Sequence, residues 1–179
     1  MPNPTLLTIS GSLRKGSYNR MLLANASQAF GPATVLEADL NLPLYDGDLE
    51  ANEGIPSAVQ TLVDQITKAD AIVISAPEYN KGISGVLKNA LDWISRVDTP
   101  VLKDKPTVIL AAAAGRTGGE TAYFMAHSIL TQFQAHLLPG PSVLVAAAMN
   151  EFDQDGSLTN AQYMQTLTTR MQALRAMIS

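Results

Sequence analysis

With 179 residues, 46% of them hydrophobic and 16% charged, the chain is long enough for one compact domain with a sizeable core and too short for two ordinary ones. A net charge of −4 without a basic arm or Lys/Arg cluster argues against a dedicated nucleic-acid binder. Because the chain has no cysteine, thiolate nucleophiles, disulfides and Cys-ligated clusters are excluded, and any redox role requires a bound cofactor.

Apolar runs alternate with amphipathic stretches along the whole length, the pattern of a parallel sheet covered by helices on both faces. In chain order we read a strand at 5–10, a helix at 17–29, a strand at 33–38, a helix at 56–68 and a strand at 71–75. A helix at 84–97, a strand at 107–112, a helix at 120–133, a strand at 142–146 and a helix at 158–178 complete the chain. Ser17 and Ser84 stand where helix caps belong, and Pro56 suits a first helical turn, where its missing N–H costs nothing. Residues 40–55 are too polar and turn-rich for a sheet element and long for a connection; loops of that length are often functional. With no repeat and no linker, the expectation is a single α/β domain over 1–179, five parallel strands in the order 2-1-3-4-5. Residues 1–10 lack the basic and long apolar regions of a signal peptide, and no later stretch is apolar enough to span a bilayer. A cytoplasmic protein with no membrane partner is therefore expected.

Three polar loops follow the first, third and fourth strands, which in a doubly wound sheet open onto one crevice. The first, Ser10-Gly-Ser-Leu-Arg-Lys-Gly-Ser-Tyr-Asn19, offers the hydroxyls of Ser10, Ser12 and Ser17, the Arg14 guanidinium and the Asn19 amide at a helix N-terminus, where the dipole favours an anion. It is not a Walker A loop, since Lys15 precedes the second glycine, and the third strand supplies no acidic residue for magnesium. Nor is it a dinucleotide fingerprint, because Ser12 stands at the middle glycine. A loop wrapping a terminal monophosphate, such as that of FMN, remains, beside the plainer reading of a Ser/Gly-rich helix cap. In the second loop, Pro77-Glu-Tyr-Asn80, Tyr79 and Asn80 offer an aromatic face and hydrogen-bonding edges to a planar ring. Taken singly, Tyr79 at the sheet rim and Glu78 as a solvated turn carboxylate are the simpler readings. The third loop, Ala113-Ala-Gly-Arg-Thr-Gly-Gly119, has glycines that let backbone N–H groups lie close to a ligand.

At these residues the chain resembles the NADPH-dependent FMN reductase family, flavodoxin-like proteins that include quinone, azo-dye and chromate reductases. The resemblance rests on Gly-Ser-Leu-Arg-x-Gly-Ser-x-Asn at Gly11 to Asn19 and Pro-Glu-Tyr-Asn at Pro77 to Asn80. It continues in Leu-Lys-Asn-Ala-Leu-Asp-Trp-Ile-Ser-Arg at Leu87 to Arg96 and in Gly-x-x-Gly-Gly at Gly115 to Gly119. It implies a flavodoxin-like three-layer sandwich in which Ser10, Ser12, Arg14, Ser17 and Asn19 hold the FMN phosphate. Pro77, Glu78, Tyr79 and Asn80, with backbone near Gly115, would border the isoalloxazine. It further implies hydride transfer from NADPH or NADH through flavin N5 to a small-molecule acceptor such as a quinone, azo dye, chromate or free flavin. A homodimer or dimer of dimers, in which the partner covers part of the flavin site, belongs to the same implication. A non-enzymatic electron carrier of flavodoxin type is the alternative, although −4 is a modest charge for an acidic docking surface. A regulatory module that keeps the pocket without turnover is a third reading.

The chain departs from relatives at Ala112 and Ala113, where hydroxyl residues are common, at Lys81-Gly-Ile-Ser84 after the second loop, and at Thr121 and His127, where relatives often carry arginine. Arg116 or Lys81 could supply the cation that a nucleotide 2′-phosphate needs. Trp93 shares a helical stripe with Val86, Ala90 and Val97 that reads as core, and Asp92 and Arg96 read as an i,i+4 surface pair. His127 and His136 have no acidic partner or metal spacing and read as structural, so no metal is expected.

Overall fold

In the computed structural model, which describes residues 3–178, the adjacent Leu6 and Leu7 are both fully buried. Successive side chains of a strand point to opposite faces, so both faces of this strand must be covered. It is β1 (Thr5–Ser10), followed by α1 (Tyr18–Phe30), β2 (Thr34–Ala38), α2 (Gly47–Glu53), α3 (Ser57–Lys68) and β3 (Ala71–Ser75). A small hairpin, β4 (Glu78–Tyr79) and β5 (Gly82–Ile83), leads into α4 (Gly85–Ile94), β6 (Pro106–Ala112) and α5 (Glu120–Gln132). The chain ends with β7 (His136–Leu137), β8 (Val143–Val145), a single 3-10 turn and α6 (Ala161–Ala176).

The main sheet is parallel and runs β2-β1-β3-β6, with β7 and β8 sharing the last edge. β7 pairs with the start of β6 (Pro106↔His136) and β8 with its end (Ala112↔Val145). The expected order 2-1-3-4-5 is therefore present with its fifth strand split, a correction to the single strand read at 142–146. Pro139 and Pro141 have no N–H to give a ladder, so the chain leaves the sheet between the two pieces. The buried Arg170 of α6 donates to the carbonyls of Leu138 and Pro139 that the break strands.

One face of the sheet packs Leu7, Ile9, Ile72, Ile74 and Ile109 against α3, α4 and α5; the other packs Leu6, Val73, Val108 and Leu110 against α1 and α6. Ser17 caps α1, accepting from the Asn19 N–H at 3.2 Å, and Ser84 caps α4, accepting from the Leu87 N–H at 3.2 Å. Pro56 stands one residue ahead of α3, in its cap position. Trp93 and Ala90 are fully buried on α4, whereas Val86 of the same stripe is only partly buried and Val97 lies beyond the helix. Among the described residues no helix is long and apolar enough to cross a membrane.

Four further readings need correction. α4 ends at Ile94 and not at 97, with the Ser95 hydroxyl donating back to the Asp92 carbonyl at 2.6 Å. Arg96 thus lies past the last turn, and the Asp92–Arg96 pair does not form: Asp92 pairs with Lys88 at 2.6 Å and Arg96 with Glu50 at 2.9 Å. α6 starts at Ala161 and not at 158, because Asn160 accepts from the Gln162 and Tyr163 amides and sets the first turn there. The loop at 40–55 contains α2, capped by Asp46. Its approach is strapped to α4, since the Pro43 carbonyl accepts from Asn89 Nδ2 at 2.9 Å and Trp93 Nε1 at 2.8 Å and the Tyr45 N–H donates to Asn89 Oδ1 at 2.8 Å, while the Tyr45 hydroxyl donates to Glu50 of α2 at 3.0 Å.

Candidate cofactor site at the carboxyl ends of β1, β3 and β6

Parallel register brings Ser10 beside Ser75 and Ser75 beside Leu110, so the loops after β1, β3 and β6 leave the sheet at one level. Backbone bonds continue the ladder into them: the Gly11 N–H donates to the Ser75 carbonyl at 3.0 Å and the Ala76 N–H to the Leu110 carbonyl at 2.8 Å. A side chain at Gly11 would meet Pro77 Cδ at 2.7 Å, which explains glycine at this crossing of the first and second loops. The Ser84 hydroxyl adds a 2.6 Å bond to the Gly11 carbonyl.

The first loop is braced from within. Ser10 Oγ accepts from the Ser12 N–H at 3.2 Å and lies 3.1 Å from the Ser12 carbonyl, while Ser12 Oγ accepts from the Arg14 N–H at 3.4 Å. Arg20 Nε, one turn into α1, donates to the Ser12 carbonyl at 3.2 Å. Among the described residues the amides of Leu13, Lys15, Gly16 and Tyr18 have no acceptor within the chain. Ser12 and Ser17, both buried, accept through their oxygens and keep a hydroxyl proton to give. The Arg14 side chain is exposed beside them. Free amides, hydroxyl protons and a guanidinium at a helix N-terminus form the donor set of a phosphate dianion, so the residues present fit FMN. Lys15 and Arg20 also line a groove of about 260 Å³ between α1 and β2, opposite Glu37. They put two more cations beside the loop.

Asn19 is placed differently from the other residues of this set. Its Nδ2 donates to the Ala112 carbonyl at 2.9 Å, and its Oδ1 accepts from the Ser75 hydroxyl at 2.7 Å and the Ala112 N–H at 3.1 Å. The side chain points into the sheet and fastens the ends of β3 and β6 to α1. Asn19 is therefore part of the frame behind the loop.

In the second loop Pro77 is buried against Gly11, and Asn80 and Lys81, at φ 51° and 64°, form the two-residue turn of the β4–β5 hairpin. Tyr79 is 55% exposed on that hairpin, open to a planar ligand. Glu78 is not a solvated turn carboxylate. It accepts from the Thr121 N–H at 2.9 Å and the Ala122 N–H at 3.4 Å, and pairs with Lys81 at 3.2 Å. Burial pushes its carboxyl up, but the Lys81 ammonium and the amides of Ala122 and Thr121 together hold it below the usual carboxylate range. In the third loop nothing lies within 4 Å of where a side chain on Gly115 would project, and Arg116 is exposed. The Ala147 N–H donates to the Gly115 carbonyl at 3.2 Å, anchoring the loop to the segment after β8.

Sequence reasoning missed Arg20, Ser75 and Ser84 as site residues. Ser84 carries the only readable signal, as a helix cap; its bond to Gly11 crosses 73 residues.

A family model described as NADPH-dependent FMN reductase matches residues 4–150. The chain is 40% identical over 172 residues to an NAD(P)H-dependent FMN reductase of Pseudomonas aeruginosa, covering 95% of this chain and 92% of that one. It is 35% identical over 173 residues to a quinone reductase of Escherichia coli, covering 94% and 92%. The solved structure of FerB, an NAD(P)H:(acceptor) oxidoreductase from Paracoccus denitrificans, superposes with a TM-score of 0.87 at 28% identity, covering 98% of this chain and 97% of that one. The loops that converge at the ends of β1, β3 and β6 lie within the matched span, and the chain belongs to the NADPH-dependent FMN reductase family.

Proposed function

We propose that the protein is an NAD(P)H-dependent FMN oxidoreductase that passes electrons to a quinone or a similar small-molecule acceptor. The observation that carries this reading is the first loop, whose free amides and hydroxyl protons stand beside Arg14 in a member of a flavin-reductase family. When bound, FMN supplies the redox chemistry, taking hydride from the nicotinamide and giving electrons to the acceptor. The chain's own residues bind and orient. Arg14, Ser12, Ser17 and the amides of Leu13, Lys15, Gly16 and Tyr18 hold the phosphate, with Ser10 shaping the loop and Asn19 fixing it to the sheet. Pro77, Tyr79, Asn80 and the Gly115 backbone border the ring, and Glu78 serves them from behind. Arg116 is the better cation for a 2′-phosphate, because Lys81 is already engaged with Glu78.

A second copy of the chain completes the site in this reading. Leu44 is 80% exposed on the strapped loop and Phe124 57% exposed on α5, apolar surface that a homodimer would cover. A cytoplasmic setting belongs to the same proposal.

Mixing the FMN-loaded protein anaerobically with NADPH tests the assignment. Rapid loss of the oxidised-flavin absorbance supports a reductase, while unchanged absorbance favours the flavodoxin-type carrier or the regulatory module. Protein that neither carries nor takes up FMN overturns all three.

A further inference from the structure

α5 begins without a cap of its own. Its N-cap is Gly119, at φ 90°, which has no side chain to accept from the first-turn amides. Glu78 fills that place from 43 residues upstream, one carboxylate oxygen accepting from the Thr121 and Ala122 N–H groups and the other from Lys81. Its side chain is only 11% exposed, whereas that of Lys81 is 71% exposed. The hairpin that carries Glu78 pairs with no strand of the main sheet. Apolar contacts also tie the hairpin to α5, with Met125 lying against Gly82 and Ile83 packed on the core cluster that holds Tyr123 and Ala126.

We propose that Glu78 is a positioning residue that locks the hairpin and the glycine loop into one wall and, by cancelling the positive end of α5, restrains the reduction potential of the bound flavin. The inference rests on the ring-bordering role given above to Pro77, Tyr79, Asn80 and the Gly115 backbone. A helix N-terminus carries roughly half a positive charge, and a carboxylate there offsets it. Reduction adds negative charge to the ring, so an uncompensated α5 N-terminus favours the reduced form.

Glu78→Gln separates the two roles, since its amide oxygen can still accept from the α5 amides but carries no charge. Glu78→Ala removes both. FMN affinity is read by fluorescence titration and the redox equilibrium against a reference dye. The expected result is that Glu78→Gln binds FMN within about threefold of wild type while its equilibrium shifts three- to tenfold toward reduced flavin. That corresponds to roughly 15–30 mV upward, at about 30 mV per tenfold for a two-electron couple. Glu78→Ala should lose about tenfold or more in FMN affinity, and Lys81→Gln, which strips the countercharge, should shift the equilibrium the other way. An unchanged equilibrium in Glu78→Gln overturns the electrostatic role, and wild-type affinity in Glu78→Ala overturns the positioning role. Failure of the wild type to take up FMN instead refutes the proposed function itself.

Discussion

Replacing Arg14 by alanine separates phosphate recognition from everything else the first loop does. The Arg14 side chain is exposed and outside the loop's internal bonds, which run through its backbone and through Ser10, Ser12 and Arg20. Its removal therefore leaves the loop standing, with the amides of Leu13, Lys15, Gly16 and Tyr18 still free. One charge-assisted contact is lost, a class worth about 1.5–3 kcal/mol net. Solvent exposure and the neighbouring Lys15 and Arg20 put the expected cost at the low end, about 1.5–2 kcal/mol. At about 1.4 kcal/mol per decade, FMN affinity should fall roughly ten- to thirtyfold. The assay is flavin-fluorescence titration of apoprotein with FMN and, in parallel, with riboflavin, which has the ring without the phosphate. Riboflavin should bind weakly to both proteins and change less than about twofold. Equal losses for the two ligands would show that Arg14 supports the fold or the ring, and the phosphate assignment of the loop would fail.

Asn19→Ala should behave in the opposite way: it strands Ser75 Oγ and both backbone groups of Ala112 in a buried place, costing about 2–4 kcal/mol of stability. In urea melts of the apoprotein the midpoint should drop, and FMN and riboflavin affinities should fall together; a loss confined to FMN would return Asn19 to the phosphate contacts. Arg116→Ala should raise KM for NADPH several-fold more than KM for NADH, and an equal change with both nucleotides would remove Arg116 as the 2′-phosphate partner. His127 has its Nε2 buried without a partner among the described residues, and burial, then the Arg170 cation, push its pKa below the ordinary imidazole range. The unfolded chain therefore binds a proton that the fold does not, so stability should fall as pH drops below about 6.5. His127→Phe should flatten that slope in melts taken between pH 7 and pH 5; an unchanged slope would refute the assignment.

The parts of the fold legible in the sequence are those whose signal lies within the element. β1 and β3 are apolar on both faces and stop where a polar loop begins, so Thr5–Ser10 and Ala71–Ser75 were readable to the residue. α2 has no such signal: its apolar contact is Leu49, partly buried, and what holds the segment is Glu50 gripping Tyr45 and Arg96. β7 is two residues whose pairing is decided by the exposed edge of β6, so a His-Leu dipeptide could not announce it.

The site shows the same division between local and long-range information, and it decides what each residue does. Ser17 was readable as a cap because the amide it accepts from is two residues away, at Asn19. Asn19 and Glu78 stand out by their motifs, yet the bonds they make could not be read there, because their partners lie 93 and 43 residues along the chain. Asn19 completes the bonds that the ends of β3 and β6 leave open, and Glu78 supplies the cap that Gly119 cannot. Buried backbone groups must find partners, and at the junction of three loops the nearest unsatisfied ones belong to neighbouring loops and not to a ligand. A polar residue inside a binding motif is thus drawn into the frame when a strand end or a helix start lies beside it. The donors left over for a ligand in the proposed reading are those, such as the Gly16 amide and the Arg14 guanidinium, that the frame does not use.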